Sequence, residues 1–196
     1  SDLLRFNEKQ RNALKEQAAE TGTDSQEYKD LLNRFNRAKN LTKEQQDELD
    51  GLDPSSDDYL RKLEEFEQEN AEKEQQEMLL DDYQNLTPEQ QAQLDPNNPE
   101  DQEEIARLSR ENDLSDEHRK ELADFAKEKG IEPGSEEYYD KLDELERVEG
   151  LTPEQQKKLK EIKDPEEYKK ALADYEEENK NKGKNIPDKE EQKDKS

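Results

Sequence analysis

The sequence predicts an all-α chain, an array of about five helix–turn–helix repeats forming an α-solenoid-like or elongated helical bundle. Three observations carry this reading. β-Branched residues, which strands favour on their pleated surface, are scarce: one Val, four Ile and five Thr in 196 residues. Glu, Lys, Gln, Leu and Ala dominate instead, and these lose little side-chain entropy in a helix. The sparse apolar residues also recur in a fixed order, with unit starts spaced about 36 residues apart, a period found in stacked helix pairs. A chain only 26% apolar and 45% charged has the composition of a disordered segment. What argues for folding is placement: the apolar residues stand where helices need them.

Each unit opens with the same start signal. A large apolar residue precedes a capping residue, then Gln or His three positions on, then Leu. The copies are Phe6-Asn7, Leu41-Thr42, Leu86-Thr87, Leu114-Ser115 and Leu151-Thr152, followed by Gln10, Gln45, Gln90, His118 and Gln155. Asn7, Thr42, Thr87, Ser115 and Thr152 are expected to accept from the free N–H groups of the first turn. The Gln can reach back to the cap's own N–H, and Pro88 and Pro153 occupy the first helical position, where proline is welcome. We term this element helix A.

Helix B follows, with a cap, then Tyr, then apolar positions four and seven residues later, which gives one stripe. Ser25, Ser56, Ser135 and Asp164 precede Tyr28, Tyr59, Tyr138 and Tyr168, while Asp101 replaces the Tyr in the third unit. The stripes of both helices predict a core of Leu14, Tyr28, Leu32, Leu49, Tyr59, Leu63, Leu94, Ile105, Leu122, Tyr138, Leu142, Leu159, Tyr168 and Leu172. The four Tyr read as inter-repeat core, with a Tyr-lined peptide groove as the alternative.

Turn signals such as Asp53-Pro54-Ser55 and Pro133-Gly134 separate A from B. Between B and the next A, only Asn40, Asn85, Asp113 or Gly150 intervenes, which suggests a left-handed helix end at each. The resulting boundaries are 1–40, 41–85, 86–113, 114–150 and 151–185, with 186–196 a tail or the start of a sixth repeat. The second unit carries 14 extra residues within 71–85, expected as a helical spur. On the spur, Met78, Leu79 and Tyr83 form a small stripe that must dock within the chain or on a partner. The chain opens on Ser, and Asn185-Ile186-Pro187 repeats the junction signal, so excerption from a longer array is the expectation.

Charge narrows the partners. Residues 1–150 carry 44 acids against 20 bases, whereas residues 151–196 carry 13 against 12, all of them Lys. A net charge of −25 disfavours direct contact with nucleic acid or anionic lipid. No run approaches the ~18 apolar residues of a membrane span, so no membrane insertion is expected. The densest acidic run, Glu64 to Asp82, reads as a solvated helix face or as a contact surface for a basic protein.

Chemistry finds little footing, and no catalytic residue, cofactor or metal site is expected. With no Cys, thiol catalysis and Cys-ligated metals are excluded. His118 takes the Gln position of a capping box, and Ser25, Ser56, Ser115 and Ser135 are all caps. The Gly51 and Gly134 loops would need Asp at the first position of an EF-hand but offer Gln46 and Lys129.

The Leu-Thr-x-x-Gln segments at 41, 86 and 151 resemble the short motif of Spy-like periplasmic chaperones, small helical cradles. The resemblance covers five residues per copy, carries over no functional residue, and implies an exposed apolar cradle.

The function expected is therefore a non-enzymatic acidic scaffold, spacer or protein–protein interaction module with a protein partner. The alternatives are an acidic decoy for a basic nucleic-acid-binding protein, a Spy-like chaperone, or an artificial sequence without an evolved role. Composition favours an extracellular or cell-surface setting over the cytoplasm.

Like charges on the body repel, so screening or partly neutralising them favours the compact state. The thermal midpoint should rise from low to moderate salt and on mild acidification toward the pI of about 4.5. A midpoint that falls as salt is added would instead mean that attractive ion pairs dominate.

Overall fold

The computed structural model describes residues 2–194, with side chains described for residues 3–183. Among the described residues there is no strand. A 3₁₀ turn, Asp2–Arg5, leads into α1 (Glu8–Thr21), α2 (Gln26–Ala38), α3 (Lys43–Asp50), α4 (Asp57–Gln84) and α5 (Pro88–Gln93). Then follow α6 (Pro99–Asp113), α7 (Asp116–Lys129), α8 (Glu136–Glu149), α9 (Pro153–Lys160) and α10 (Pro165–Asp194). Odd-numbered helices begin at the A signals and even-numbered ones at the B signals. Among the described residues no helix is long and apolar enough to cross a membrane.

Helix A comes in two lengths, and proline sets the difference. Helices α3, α5 and α9 span 8, 6 and 8 residues. Each is followed within a few residues by Pro54, Pro96 or Pro165, which cannot continue a helix and pushes the preceding residue toward extended backbone. Helices α1 and α7 reach 14 residues and end at Gly22 and Gly130, both at positive φ (86° and 65°), where Gly avoids the Cβ penalty.

The left-handed junction expected at Asn40, Asn85, Asp113 and Gly150 is not what forms. No non-Gly residue has positive φ among the described residues, and Gly150 itself is right-handed at φ −75°. Helices α2, α4, α6 and α8 each close by tightening the last turn. The N–H of the next unit's apolar residue donates three residues back, as in Leu41 to Ala38 (3.2 Å), Leu86 to Tyr83 (3.1 Å), Leu114 to Glu111 (3.1 Å) and Leu151 to Val148 (2.9 Å). This 3₁₀ closure satisfies a terminal carbonyl without the left-handed cost of ~1–2 kcal/mol. Phe6 to Leu3, at 3.1 Å, repeats the same closure. The residue that closes the turn is buried at every junction: Phe6, Leu41, Leu86, Leu114 and Leu151.

The chain forms two compact units, residues 1–78 and 79–196. The first has one core, running from Phe6 and Leu14 through Leu31, Phe35 and Leu49 to Tyr59, Leu63 and Phe66. Phe35 sits at its centre, edge-on to Phe6 (5.9 Å) and to Tyr59 (5.8 Å). The second unit holds a cluster around Leu114, Leu122, Tyr138, Leu142 and Leu145, and another around Val148, Leu151, Leu159 and Leu172.

Of the residues expected in the core, Leu14, Leu49, Tyr59, Leu63, Ile105, Leu122, Tyr138, Leu142, Leu159 and Leu172 are buried. Tyr28, Leu32, Leu94 and Tyr168 are only half-buried. In α2 the buried stripe is Leu31, Phe35 and Ala38, one residue out of step with the expected Leu32. The adjacent Leu31-Leu32 pair offers either choice, and the aromatic contacts of Phe35 select Leu31. Leu94 falls where α5 has already stopped, on extended backbone at φ −126° and ψ 146°.

The 14 extra residues extend α4, which runs for 28 residues without a break. At ~1.5 Å rise per residue that is about 42 Å of helix. No residue between Phe66 and Leu86 is buried, and residues 71–78 are all exposed. Asn185-Ile186-Pro187 lies within the bounds of α10, and its side chains lie outside the described residues.

Leu63→Ala, at a position 0% exposed, should cost about 2–5 kcal/mol. Amide exchange resolved by residue is expected to show that loss in residues 6–66 while α7 to α10 keep their protection. Equal loss in both regions would mean that the two cores unfold together.

Candidate functional site

The start of helix A is a polar node. At Asn7, Thr42, Thr87 and Thr152 the cap oxygen accepts from the N–H three residues on, at 2.9, 3.2, 3.2 and 3.2 Å. The Gln oxygen accepts from the cap's own N–H in return, at 3.0, 3.1, 2.9 and 3.1 Å. Ser115 caps α7 in the same way, accepting from the His118 N–H at 3.3 Å.

In the second to fifth units a residue from the following B helix completes the node. Gln45 and Asn70 exchange two amide hydrogen bonds (2.9 and 3.0 Å), and Gln155 and Asn179 do the same (3.1 and 2.9 Å). Asn112 donates to Gln90 at 2.9 Å and to the Asn85 carbonyl at 3.1 Å. Such a pair leaves no amide atom wanting when the Gln is covered, as Gln155 is at 7% exposed. In the first unit, buried Gln10 donates instead to the Tyr59 hydroxyl at 3.3 Å. Burial pushes that phenol up, and the bond from Gln10 partly offsets the shift.

The partners Asn70, Asn112 and Asn179 were missed from sequence, although each stands 11 residues after the Tyr position of its helix (Tyr59, Asp101 and Tyr168). In the fourth unit that register holds Glu149, and the node changes chemistry. Glu149 Oε1 accepts from the Ser115 N–H at 2.7 Å and lies 2.6 Å from His118 Nδ1. The capping box is thus closed by a carboxylate from α8 and not by the third residue of α7. Burial raises the Glu149 carboxyl, but the Ser115 N–H and His118 outweigh it and hold the group below the usual Glu range. His118 is itself 3% exposed.

A second contact joins successive B helices. Arg37 bonds Glu67 (3.1 and 2.5 Å), Arg110 bonds Glu146 (3.0 and 2.6 Å) and Arg147 bonds Glu176 (3.1 Å and 2.5 Å). In each case the Arg is nine residues and the Glu eight residues after the Tyr position. At the 14-residue insertion both partners are missing, with Gln68 and Ser109 in those places. These pairs are roughly a third to a half exposed, so each contributes at most about 1 kcal/mol. Their two-pronged geometry fixes register more than it adds stability.

The residues expected as a partner surface are divided. Met78 is 60% exposed, and its neighbour Leu80, outside the expected stripe, is 51% exposed. Leu79 is half-buried. Tyr83 is tied to α5: its hydroxyl donates to the Gln91 carbonyl (3.0 Å), and the Gln91 amide donates to the Tyr83 carbonyl (2.9 Å).

A cleft of about 430 Å³ opens among α7, α8, α9 and α10. Lys141, Lys160, Lys163 and Lys169 line it with His118 and Tyr168, over Leu145, Val148, Leu159 and Ile162. Lys141 bonds Glu121 (3.0 Å) and Glu144 (2.9 Å), and Lys160 pairs with Glu117. Burial lowers the Lys141 ammonium, but its two carboxylate partners raise it above the ordinary Lys value.

Among the described residues, no group of three or more His, Asp or Glu is disposed to hold a metal ion. No family model, curated protein or solved structure matches the chain.

Glu149→Ala should cost about 1–3 kcal/mol by stranding the Ser115 N–H, measured by urea unfolding. Glu149 and Glu176 have depressed folded values. The stability they add is therefore full above the unfolded Glu pKa of about 4.3 and is lost as pH falls through their folded values. Acid titration of the wild type should show this loss below about pH 4.3, and Glu149→Gln should reduce it. An unchanged acid limb would mean that the node contributes nothing.

Proposed function

We propose that the chain is a non-enzymatic acidic scaffold or protein–protein interaction module. The observation that carries this reading is the repeated register of contacts. The same Arg–Glu pair links α2 to α4, α6 to α8, and α8 to α10. Contacts of that kind serve to order helices as a stack, and stacked helix pairs present extended faces to partners. The exposed charge suits this role: residues 41–150 carry 37 acids and 12 bases, whereas residues 1–40 carry 7 and 8.

The concentration of acid in the middle of the chain also favours a second reading, an acidic decoy that occupies the basic site of a nucleic-acid-binding protein. A decoy relies on long-range charge and is steeply salt-dependent, whereas an interaction module seats apolar anchors.

Affinity capture at low and high salt separates the two. A module should retain its partner at high salt and lose it when Met78, Leu79 and Tyr83 become Gln. A decoy should release basic proteins at high salt and on adding duplex DNA. Absence of specific capture under both conditions would sink both readings. The triple variant should also cost about 1 kcal/mol of stability, from the lost Tyr83 bond to α5.

A further inference from the structure

We infer that the cleft among α7, α8, α9 and α10 receives an arginine side chain presented by a partner protein, in the place that the chain's own Arg34 and Arg107 fill in two earlier seams. Both residues stand six positions after the Tyr position of their helix (Tyr28 and Asp101). Arg34 crosses from α2 to the turn before α4, where Nη1 donates to the carbonyls of Pro54 and Ser56, both at 2.9 Å. Its guanidinium lies 5.9 Å from the centre of the Tyr59 ring. Arg107 crosses from α6 to the turn before α8 in the same way. It lies beside Tyr138, and a Cβ at Gly134 would stand 3.3 Å from its Nη1. Beside these guanidinium groups Tyr59 and Tyr138 are both buried.

In the seam from α8 to α10 the same register holds Glu144. Tyr168 is only half-buried there, and the cleft opens among Glu144, Tyr168 and the turn residues Lys163 and Pro165. Burial pushes the Tyr168 phenol up and the Glu144 carboxylate pushes it further, so a carboxylate stands by the ring where the earlier seams have a guanidinium. The Tyr59 hydroxyl accepts from Gln10 and the Tyr138 hydroxyl bonds Glu111, whereas that of Tyr168 has no partner among the described residues.

Arginine suits this gap because its planar guanidinium stacks on an aromatic face and donates sideways to a carboxylate. Glu144 binds Lys141 through Oε2 at 2.9 Å, which leaves Oε1 for a ligand. Lys141 is shared with Glu121, so two carboxylates face one ammonium on that wall. Lys163 and Lys169 are exposed and can turn their charges into water, whereas Glu144 is half-buried. A second hollow of about 550 Å³ continues the cleft past Tyr168 to Phe125 and Leu172. On its α8 wall Glu137 and Asp140 have no ion-pair partner among the described residues, while Lys129 lies over the Phe125 ring and Arg147 pairs with Glu176. That continuity favours an extended segment, with its arginine beside Tyr168 and an apolar neighbour on Phe125. The choice of a protein as occupant rests on the interaction-module reading and gives that module a chemistry by which to select its partner.

The test uses the intact chain and capped peptides at millimolar concentration: Ala-Arg-Leu-Ala, and the same sequence with Lys or citrulline in place of Arg. Binding is followed by NMR at the Tyr168 ring and the Leu145 and Leu159 methyls. The Arg peptide should shift these signals saturably, the Lys peptide should bind more weakly, and the uncharged citrulline peptide should not bind. Glu144→Gln should fold normally, since Lys141 keeps Glu121, and should weaken the Arg peptide by about tenfold. Glu144→Arg supplies the residue of the two earlier seams, so it should cover Tyr168 from within and abolish binding while the amide spectrum stays native. The inference is overturned if the Arg peptide does not bind, if the Lys or citrulline peptide binds as well, or if folded Glu144→Gln binds like wild type. Concentration-dependent shifts of the same signals without peptide would assign the cleft to a second copy and overturn it likewise. Loss of capture while the Arg peptide still binds would sink the α4 surface alone, and the reverse would sink the cleft alone.

Discussion

The first turn of every short helix exposes backbone N–H groups that a chain this poor in apolar residues cannot simply bury. The molecule answers with a capping oxygen at every unit start, a third-position Gln folded back on the cap in all units but the fourth, and a partner from a B helix. The A helices α3, α5 and α9, at 8, 6 and 8 residues, are too short to stand alone, because isolated helices below ~12 residues are marginal in water. Their starts must therefore be fixed from outside, and the bond from helix B does so. The buried residue before each cap completes the arrangement, closing the preceding helix and packing the core at once.

Seen from this node, the fourth unit is a coherent variation. Exchanging Gln for His118 and Asn for Glu149 replaces the amide pair with a carboxylate–imidazole pair in which the carboxylate, and not the third residue, takes the N–H of the cap. The cleft follows from the neighbouring helices: Lys160 and Lys163 come from the Lys-rich stretch that begins at α9, and the apolar floor comes from the core residues of α8 and α9.

The two kinds of cross-contact differ in weight. Arg–Glu pairs between B helices are half-exposed and individually weak, yet they recur at one register. They are missing where 14 residues lengthen α4. The chain divides near the same place, after residue 78.

What the sequence determined by itself was local. Helicity, the cap at Asn7, Thr42, Thr87, Ser115 and Thr152, and most of the buried stripe follow from spacings within about ten residues, where chemistry and geometry are tied by the helix alone. Tertiary structure decided the rest. Packing on Phe35 turned Leu31 inward in place of Leu32, and closure against the next cap replaced a left-handed end at Asn40 and Gly150 with a 3₁₀ turn. The partners of the third-position residues lie 22 to 49 residues away in sequence. No local propensity marks such a partner: Asn70 or Glu149 reads as one more polar residue on a helix until folding brings it against a buried amide or imidazole that must be satisfied.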